Sequence, residues 1–278
     1  MSFQPTIPMA GIAGWRFLER TEASQKASFE KGAALTREVE YFTKNIGKVT
    51  SAAELVADRR LLKVALGAFG LAGEIDKKAF IRKVLDEGST EGTALAVKLT
   101  EPAYKKLAAA FGFGDAGGSQ TAVAGFAKTI TDAYKTRAFE AAVGESNENM
   151  RLALNFKREI GDLATKENAS WYSVIGSRSL SPVVEKAFGL PSDSFGKLNV
   201  DRQREILREK CSALFGSSDL SVFTDTAKVS KMIDRFLARA QIEEGPTTSA
   251  VRSPALTLLQ SRGDNGSSGL FNLLLSRR

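Results

Sequence analysis

The sequence predicts an all-α protein, a multi-helix orthogonal or irregular bundle, and three observations carry that prediction. Apolar residues recur at spacings of three and four along most of the chain. Few β-branched residues gather into the runs that strands favour. A short signature, A-F-G, marks places where helical periodicity stops: A-F-G-L at 68–71 and 187–190, A-F-G-F at 110–113, and A-L-F-G at 213–216. Glycine commonly supplies the left-handed residue that closes a helix, so the signature predicts repeated helix–Gly–helix units. They would form one extended body or two abutting lobes, with eight to ten helices and no sheet beyond a short hairpin. Phe69, Phe111 and Phe188 are expected to be buried at equivalent helix ends.

The clearest element is Ser51–Leu71. Ser51 and Glu54 form a capping box, in which a hydroxyl and a carboxylate each satisfy a backbone N–H of the first turn. Leu55, Leu62, Leu66 and Phe69 then share one face, and Gly70 ends the run. Upstream, residues 1–14 are punctuated by Pro5, Pro8, Gly11 and Gly14 and read as a flexible N-terminal tail. Trp15 to about Lys48 is helical, weakened at Gly32 by roughly 1 kcal/mol relative to alanine. Downstream, helices are expected over Lys77–Glu87 and about Gly92–Leu99, and a further one opens at Pro102, because a first turn tolerates the missing N–H. Thr121–Val143, Met150–Thr165, Ser181–Gly189, Asp201–Phe215 and Asp225–Gln241 complete the series. Asn168–Pro182 is the most irregular interior stretch, with Trp171 as a core plug beneath it. The organisation that follows is a tail at 1–14, a lobe at 15–166 carrying the A-F-G signatures, a second lobe or continuation at 167–244, and a flexible C-terminal tail at 245–278.

The chain has 278 residues, of which 43% are hydrophobic and 26% charged, the balance of an ordinary folded protein. Its net charge of +7 arises from 39 basic and 32 acidic residues interleaved along the helices. Interleaved charge marks solvated faces, and no basic run carries aromatics between its charges, which argues against a nucleic-acid partner. The chain lacks histidine. That removes Ser–His and Cys–His dyads, histidine zinc sites and imidazole acid–base chemistry. Cys211, the single cysteine, lines up with Leu207 and Leu214 as a small core residue. No basic segment followed by an apolar stretch begins the chain, and no run reaches 18 apolar residues. The expectation is a protein without a cleaved Sec signal and without a membrane span, either cytoplasmic or flagellum-associated for the reason given below.

Motifs that carry chemistry are weak. Gly112, Gly114 and Gly117 have G-x-G-x-x-G spacing, but a helix precedes them where a dinucleotide loop needs a strand, so they read as a hinge. Ser28-Phe29-Glu30-Lys31 matches S-x-x-K without the companion motifs of acylating enzymes. The stretch from Ala68 to Phe80 has the outline of a calcium loop without its acidic ligands. Gly196-Lys197 is no Walker sequence. No catalytic residue, cofactor site or metal site is therefore assigned. One alternative stays open: a ligand-binding module or enzyme using carboxylates and lysines near the Gly112–Gly118 loop.

Seven stretches together resemble one bacterial family. They are G-I-A-G-W-R-F-L-E-R-T at 11–21, Y-F at 41–42, D-R-R-L-L-K-V-A-L-G-A-F-G-L at 58–71, K-A-F-I-R-K-V-L at 78–85, A-F-G-F at 110–113, F-E-A-A-V-G at 139–144 and M-R-L-A-L-N at 150–155, with an echo in S-P-A-L-T-L-L-Q at 253–260. The family is domain of unknown function 1217, and the resemblance covers roughly residues 1–240. It implies a gene set among flagellar genes of alphaproteobacteria, between motor and basal-body components, with no activity assigned. The resulting expectation is a non-enzymatic protein that acts in flagellar assembly, export or motor function by binding another flagellar protein.

The contact residues expected for that role lie at the two ends. Ile12, Trp15, Phe17 and Leu18 follow the N-terminal tail, and Leu256, Leu258, Leu259, Leu270, Phe271, Leu273 and Leu274 form apolar islands in a serine- and glycine-rich one. Such islands call for a partner. Either they bind a neighbour or one another, allowing self-association through the termini, or Trp15–Leu18 docks on the body as a first helix and the C-terminal islands fold back over a groove.

Overall fold

Fourteen α-helices and three short 3-10 turns make up the folded part of the described residues, and no strand occurs among them. The structure, a computed structural model, describes residues 3–167 and 169–244. The chain divides into two units, Met1–Ala240 and Gln241–Arg278. Every core residue among those described belongs to the first.

The helix count exceeds the expected eight to ten because Gly32 and Asp58 cut two periodic runs that look continuous, and because two short helices, Trp171–Ile175 and Ser192–Phe195, form outside the expected ones. The first run is divided at Gly32, giving α1 (Gly11–Glu30) and α2 (Ala33–Asn45). Helix therefore begins four residues earlier than Trp15, while residues 3–10 stay non-helical and are pinned to α1. Pro5 is buried, and the Gln25 amide both accepts from Thr6 N at 2.7 Å and donates to Thr6 O at 3.1 Å.

The Ser51–Gly70 run is two helices, α3 (Ala52–Ala57) and α4 (Arg59–Ala68). Ser51 Oγ accepts from Glu54 N, as the capping box requires, and the Glu54 carboxylate takes Thr50 N at 2.7 Å. Asp58 then caps a second start: its Oδ1 accepts from Arg60 N and Leu61 N, and its Oδ2 from the Tyr41 hydroxyl at 2.6 Å. An Asp before R-R-L-L is an N-cap signal in its own right. Further on come α5 (Lys78–Asp86), the single turn α6 (Leu95–Lys98) and α7 (Pro102–Phe111), whose N-cap carboxylate is Glu101. The long α8 (Phe126–Ser146) runs through Gly144 and stops at Asn147, which at once caps α9 (Glu148–Ala164). Then follow α10 (Trp171–Ile175), α11 (Ser181–Phe188), α12 (Ser192–Phe195), α13 (Val200–Phe215) and α14 (Thr226–Glu244).

The four A-F-G-type glycines, Gly70, Gly112, Gly189 and Gly216, all take positive φ, between 68° and 79°. The signature therefore marks helix ends, as expected. Repeated units do not follow from it, because Gly70 leads to a 3-10 turn, Gly112 to a fourteen-residue link before α8, Gly189 to the short α12 and Gly216 to another 3-10 turn. The aromatic rings are not equivalent either. Phe111 and Phe188 are the last helical residues and are buried, whereas α4 ends one residue early and leaves Phe69 half-buried in the turn.

Two hydrophobic cores result. One gathers α2 to α7 and the first half of α8, around Phe42, Leu62, Leu66, Ile81, Tyr104 and Phe111. The other takes Trp15 and Leu18 of α1, Phe139 and Val143 of α8, and α9 to α14 around Phe156, Trp171, Phe223 and Phe236. The α8 helix passes from one core to the other, with Ile130 and Tyr134 in the first, and the Phe29 ring packs against both. The cores are thus not consecutive in the chain. Cys211 is fully buried in the second core, where desolvation pushes its thiol up to about 11. It is a packing residue.

Candidate functional site

Of the contact residues expected at the N-terminal end, Trp15 and Leu18 are fully buried. They are core residues, not exposed anchors, because Gly14 lets the helix lie against the Met9 backbone and the Met150 side chain while the Trp15 ring turns inward. Phe17 is half-buried, and Ile12 is exposed. Leu256, Leu258, Leu259, Leu270, Phe271, Leu273 and Leu274 lie outside the described residues.

The Gly112–Gly118 loop is a clasp. Asp115 sends its carboxylate back to the turn after α5, accepting from Ser89 N at 2.7 Å, Ser89 Oγ at 2.8 Å, and both Thr90 N and Thr90 Oγ1 at 3.1 Å. Desolvation would raise its pKa, but these four donors outweigh it and hold the carboxyl below its ordinary value. Gly114 lies so close that a Cβ would stand 2.3 Å from Asp86 O and from Gly88 N. The loop's glycines and its carboxylate are thus used for packing. Replacing Gly114 with alanine should destabilise the body by more than about 1 kcal/mol, since only backbone could give way. Urea unfolding of the variant measures this, and an unchanged midpoint would show that the clasp yields freely.

Between α8 and α9 lies a network of buried charge. Arg158 grips Glu140 with two hydrogen bonds, Nε to Oε1 at 2.7 Å and Nη2 to Oε2 at 2.8 Å, and reaches Glu159 Oε1 at 2.9 Å and Asn155 Oδ1 at 3.1 Å. Arg137 Nη2 donates to the same Glu159 oxygen at 3.2 Å, while Ser179 Oγ donates to the other at 3.1 Å. Burial would raise the Glu159 pKa, yet Arg158, Lys106 and Arg137 more than offset it and keep the carboxyl below its ordinary value. The groups are mutually satisfied, which is what a low-dielectric site demands.

Beside this network a cleft of about 550 Å³ opens on the seam between the cores. Phe80 and Tyr104 meet edge to face at 5.3 Å and, with Leu99, form its apolar part. Gly176 closes one side against the Thr100 backbone, where a Cβ would stand 2.4 Å from Thr100 O. Glu74 is buried at the back. Its Oε1 accepts from Arg178 Nη1 at 3.2 Å, and its Oε2 lies 2.8 Å from Lys77 Nζ in an ion pair that lacks hydrogen-bond alignment. Lys77, set against desolvation and helped by Arg178, holds the Glu74 carboxyl below its ordinary value. Burial, with Glu74 alongside, raises the Tyr104 phenol. Glu101 accepts from Ala103 N at 3.2 Å and from Arg178 N at 3.0 Å.

Sequence reasoning missed this cleft because Glu74, Tyr104 and Arg178 come from three distant stretches. No motif unites them. The sequence offered only one local sign, Pro102 as a helix start.

A model of the family described as protein of unknown function (DUF1217) matches residues 68–229, more than half of the chain. The chain belongs to this family. The DUF1217 match includes the cleft, the Asp115 clasp and the α8–α9 network, while Trp15 lies outside it. Among solved structures, the X-ray structure of an Agrobacterium tumefaciens protein, a structural genomics target, is similar at 27% identity and a TM-score of 0.71, covering 87% of this chain and 100% of that one. No curated protein matches the chain. Among the described residues no helix is long and apolar enough to cross a membrane, and no group of three or more His, Cys, Asp or Glu side chains is placed to hold a metal ion.

The carboxylates predict a pH dependence. Asp115, Glu74 and Glu159 are all held below their ordinary values, so each contributes stability above the unfolded carboxyl pKa of about 4 and loses it as pH falls through the lower folded value. Stability measured by urea unfolding should be level from neutral pH to about 5 and fall steeply below about 4. Asp115→Asn should flatten part of that fall. A profile unchanged in this variant would mean that Asp115 is not preferentially ionised in the folded state.

Proposed function

We propose that the protein is a non-enzymatic flagellum-associated protein that acts in flagellar assembly, export or motor function by binding another flagellar protein. The observation that carries the non-catalytic part is that three carboxylates held below their ordinary pKa, Glu74, Asp115 and Glu159, each already face two or more protein donors or cations. A general base or nucleophile needs a free lone pair within reach of substrate. The flagellar part rests on what the family resemblance implies. The Gly112–Gly118 loop, engaged in packing against α5, lends no support to the ligand-site alternative. The apolar islands at 256–259 and 270–275, together with Ile12 and Phe17, are the contacts proposed for the partner or for self-association, in the cytoplasm or at the flagellum.

Deleting the gene in its host tests this, with filaments scored by electron microscopy separately from swimming. Filaments without swimming would place the protein in motor function, and missing filaments would place it in assembly or export. Normal filaments with normal swimming would overturn the proposal.

A further inference from the structure

We propose that the seam cleft is a docking site for a partner segment in which a large apolar side chain is followed directly by an acidic one. This rests on the reading of the protein as a binder of another protein and names the surface and the chemistry it recognises.

The cleft combines two features that fit such a segment. Its apolar part, Phe80, Leu99 and Tyr104, is half-buried or buried, so one inserted side chain could complete its cover. Its most exposed charges are cationic. The side chains of Lys77 and Arg178 are 63% and 70% exposed, whereas Glu74, which both contact, is only 7% exposed. Glu101 is spent on two backbone N–H groups. Glu74 is therefore buried against its two cations while the cations themselves stand exposed. An ammonium carries three donors and a guanidinium five, so each retains donors after meeting Glu74.

The other flank of α5 shows why the charge pattern matters. There Arg82 pairs with Asp86 at 3.2 Å and Lys83 with Glu87 at 3.8 Å, one carboxylate for each cation. In the seam cleft Lys77 and Arg178 both pair with Glu74, while the second carboxylate there, Glu101, is bonded to backbone N–H groups and pairs with neither cation. A carboxylate on the incoming chain would meet both, and truncating a desolvated charge contact of this kind is the change expected to weaken binding most.

The probes are three blocked dipeptides titrated into the full-length protein by NMR: N-acetyl-Phe-Glu-amide, N-acetyl-Phe-Gln-amide and N-acetyl-Ala-Glu-amide. Free 3-phenylpropionate serves as a fourth. The Phe-Glu compound should bind at least about tenfold more tightly than either of the other dipeptides, a difference of about 1.4 kcal/mol. Lys77→Gln and Arg178→Gln, which can still donate to Glu74, should each remove the preference for Glu over Gln. Thr100→Trp, which fills the mouth without touching the charges, should abolish binding of all probes, with circular dichroism showing each variant folded. Equal binding of the three dipeptides, or a preference that survives both Gln variants, overturns the proposal. Tighter binding of 3-phenylpropionate than of the Phe-Glu compound also overturns it, because the site would then serve a small acid. Dipeptide selectivity alongside a fully motile deletion strain would sink the flagellar reading alone, and lost selectivity alongside a non-motile strain would sink the cleft alone.

Discussion

Replacing Arg158 with alanine is expected to cost about 3–5 kcal/mol, the scale found when one partner of a buried ion pair is removed. The arginine is not the group that suffers. Glu140, whose side chain is 6% exposed, would lose both of the hydrogen bonds it takes from Arg158, and Glu159 would lose one of its two arginines. Urea unfolding at neutral pH measures the loss. A double variant, Arg158→Met with Glu140→Leu, should recover much of it, since an ion pair exchanged for packed apolar groups of similar volume is often neutral. If the single variant loses less than about 1 kcal/mol, water reaches the network freely and α8 and α9 are held together by packing alone. The experiment also bears on the seam cleft, because Ser179, which follows Arg178, donates to Glu159. A loosened Glu159 would free the segment that carries Arg178.

Features that depend on residues near one another in sequence were legible before the fold was known. The Ser51–Glu54 cap, the Pro102 start, the helix stops at Gly70, Gly112 and Gly189, and the buried Trp171 and Cys211 all follow from local spacing. The errors have physical causes of the same local kind. Gly32 and Asp58 each start a helix from within a run whose apolar period never falters, so periodicity alone counted too few helices. A glycine that closes a helix says nothing about what comes next, so four similar helix ends did not make a repeat. The cleft and the ionic network lay beyond reach. Glu74 meets Arg178 across 104 residues of chain and Arg158 meets Glu140 across 18, and in a sequence of interleaved charge no spacing rule singles out those pairs.

Trp15 is where the two readings of the N-terminal end part, and alanine there should cost about 3–5 kcal/mol. The ring is fully buried, packed within the core that holds Met150 and Phe156, and Lys157 Nζ stands 5.7 Å from its centre. Its indole N–H is buried without a hydrogen-bond partner, so the native state already bears the cost of desolvating that donor. Trp15→Phe removes the unpaired donor along with part of the ring. It should therefore lose less than half of what Trp15→Ala loses, an ordering that a well-paired tryptophan such as Trp171, whose Nε1 donates to Ser218 O at 2.8 Å, would not share. Thermal unfolding of both variants beside a swimming assay separates the possibilities. A lowered melting temperature for alanine with near-normal behaviour for phenylalanine assigns Trp15 to the core and leaves Ile12 and Phe17 as the N-terminal contacts. An unchanged melting temperature with swimming lost would mean instead that α1 leaves the body to bind a partner, carrying Trp15 with it.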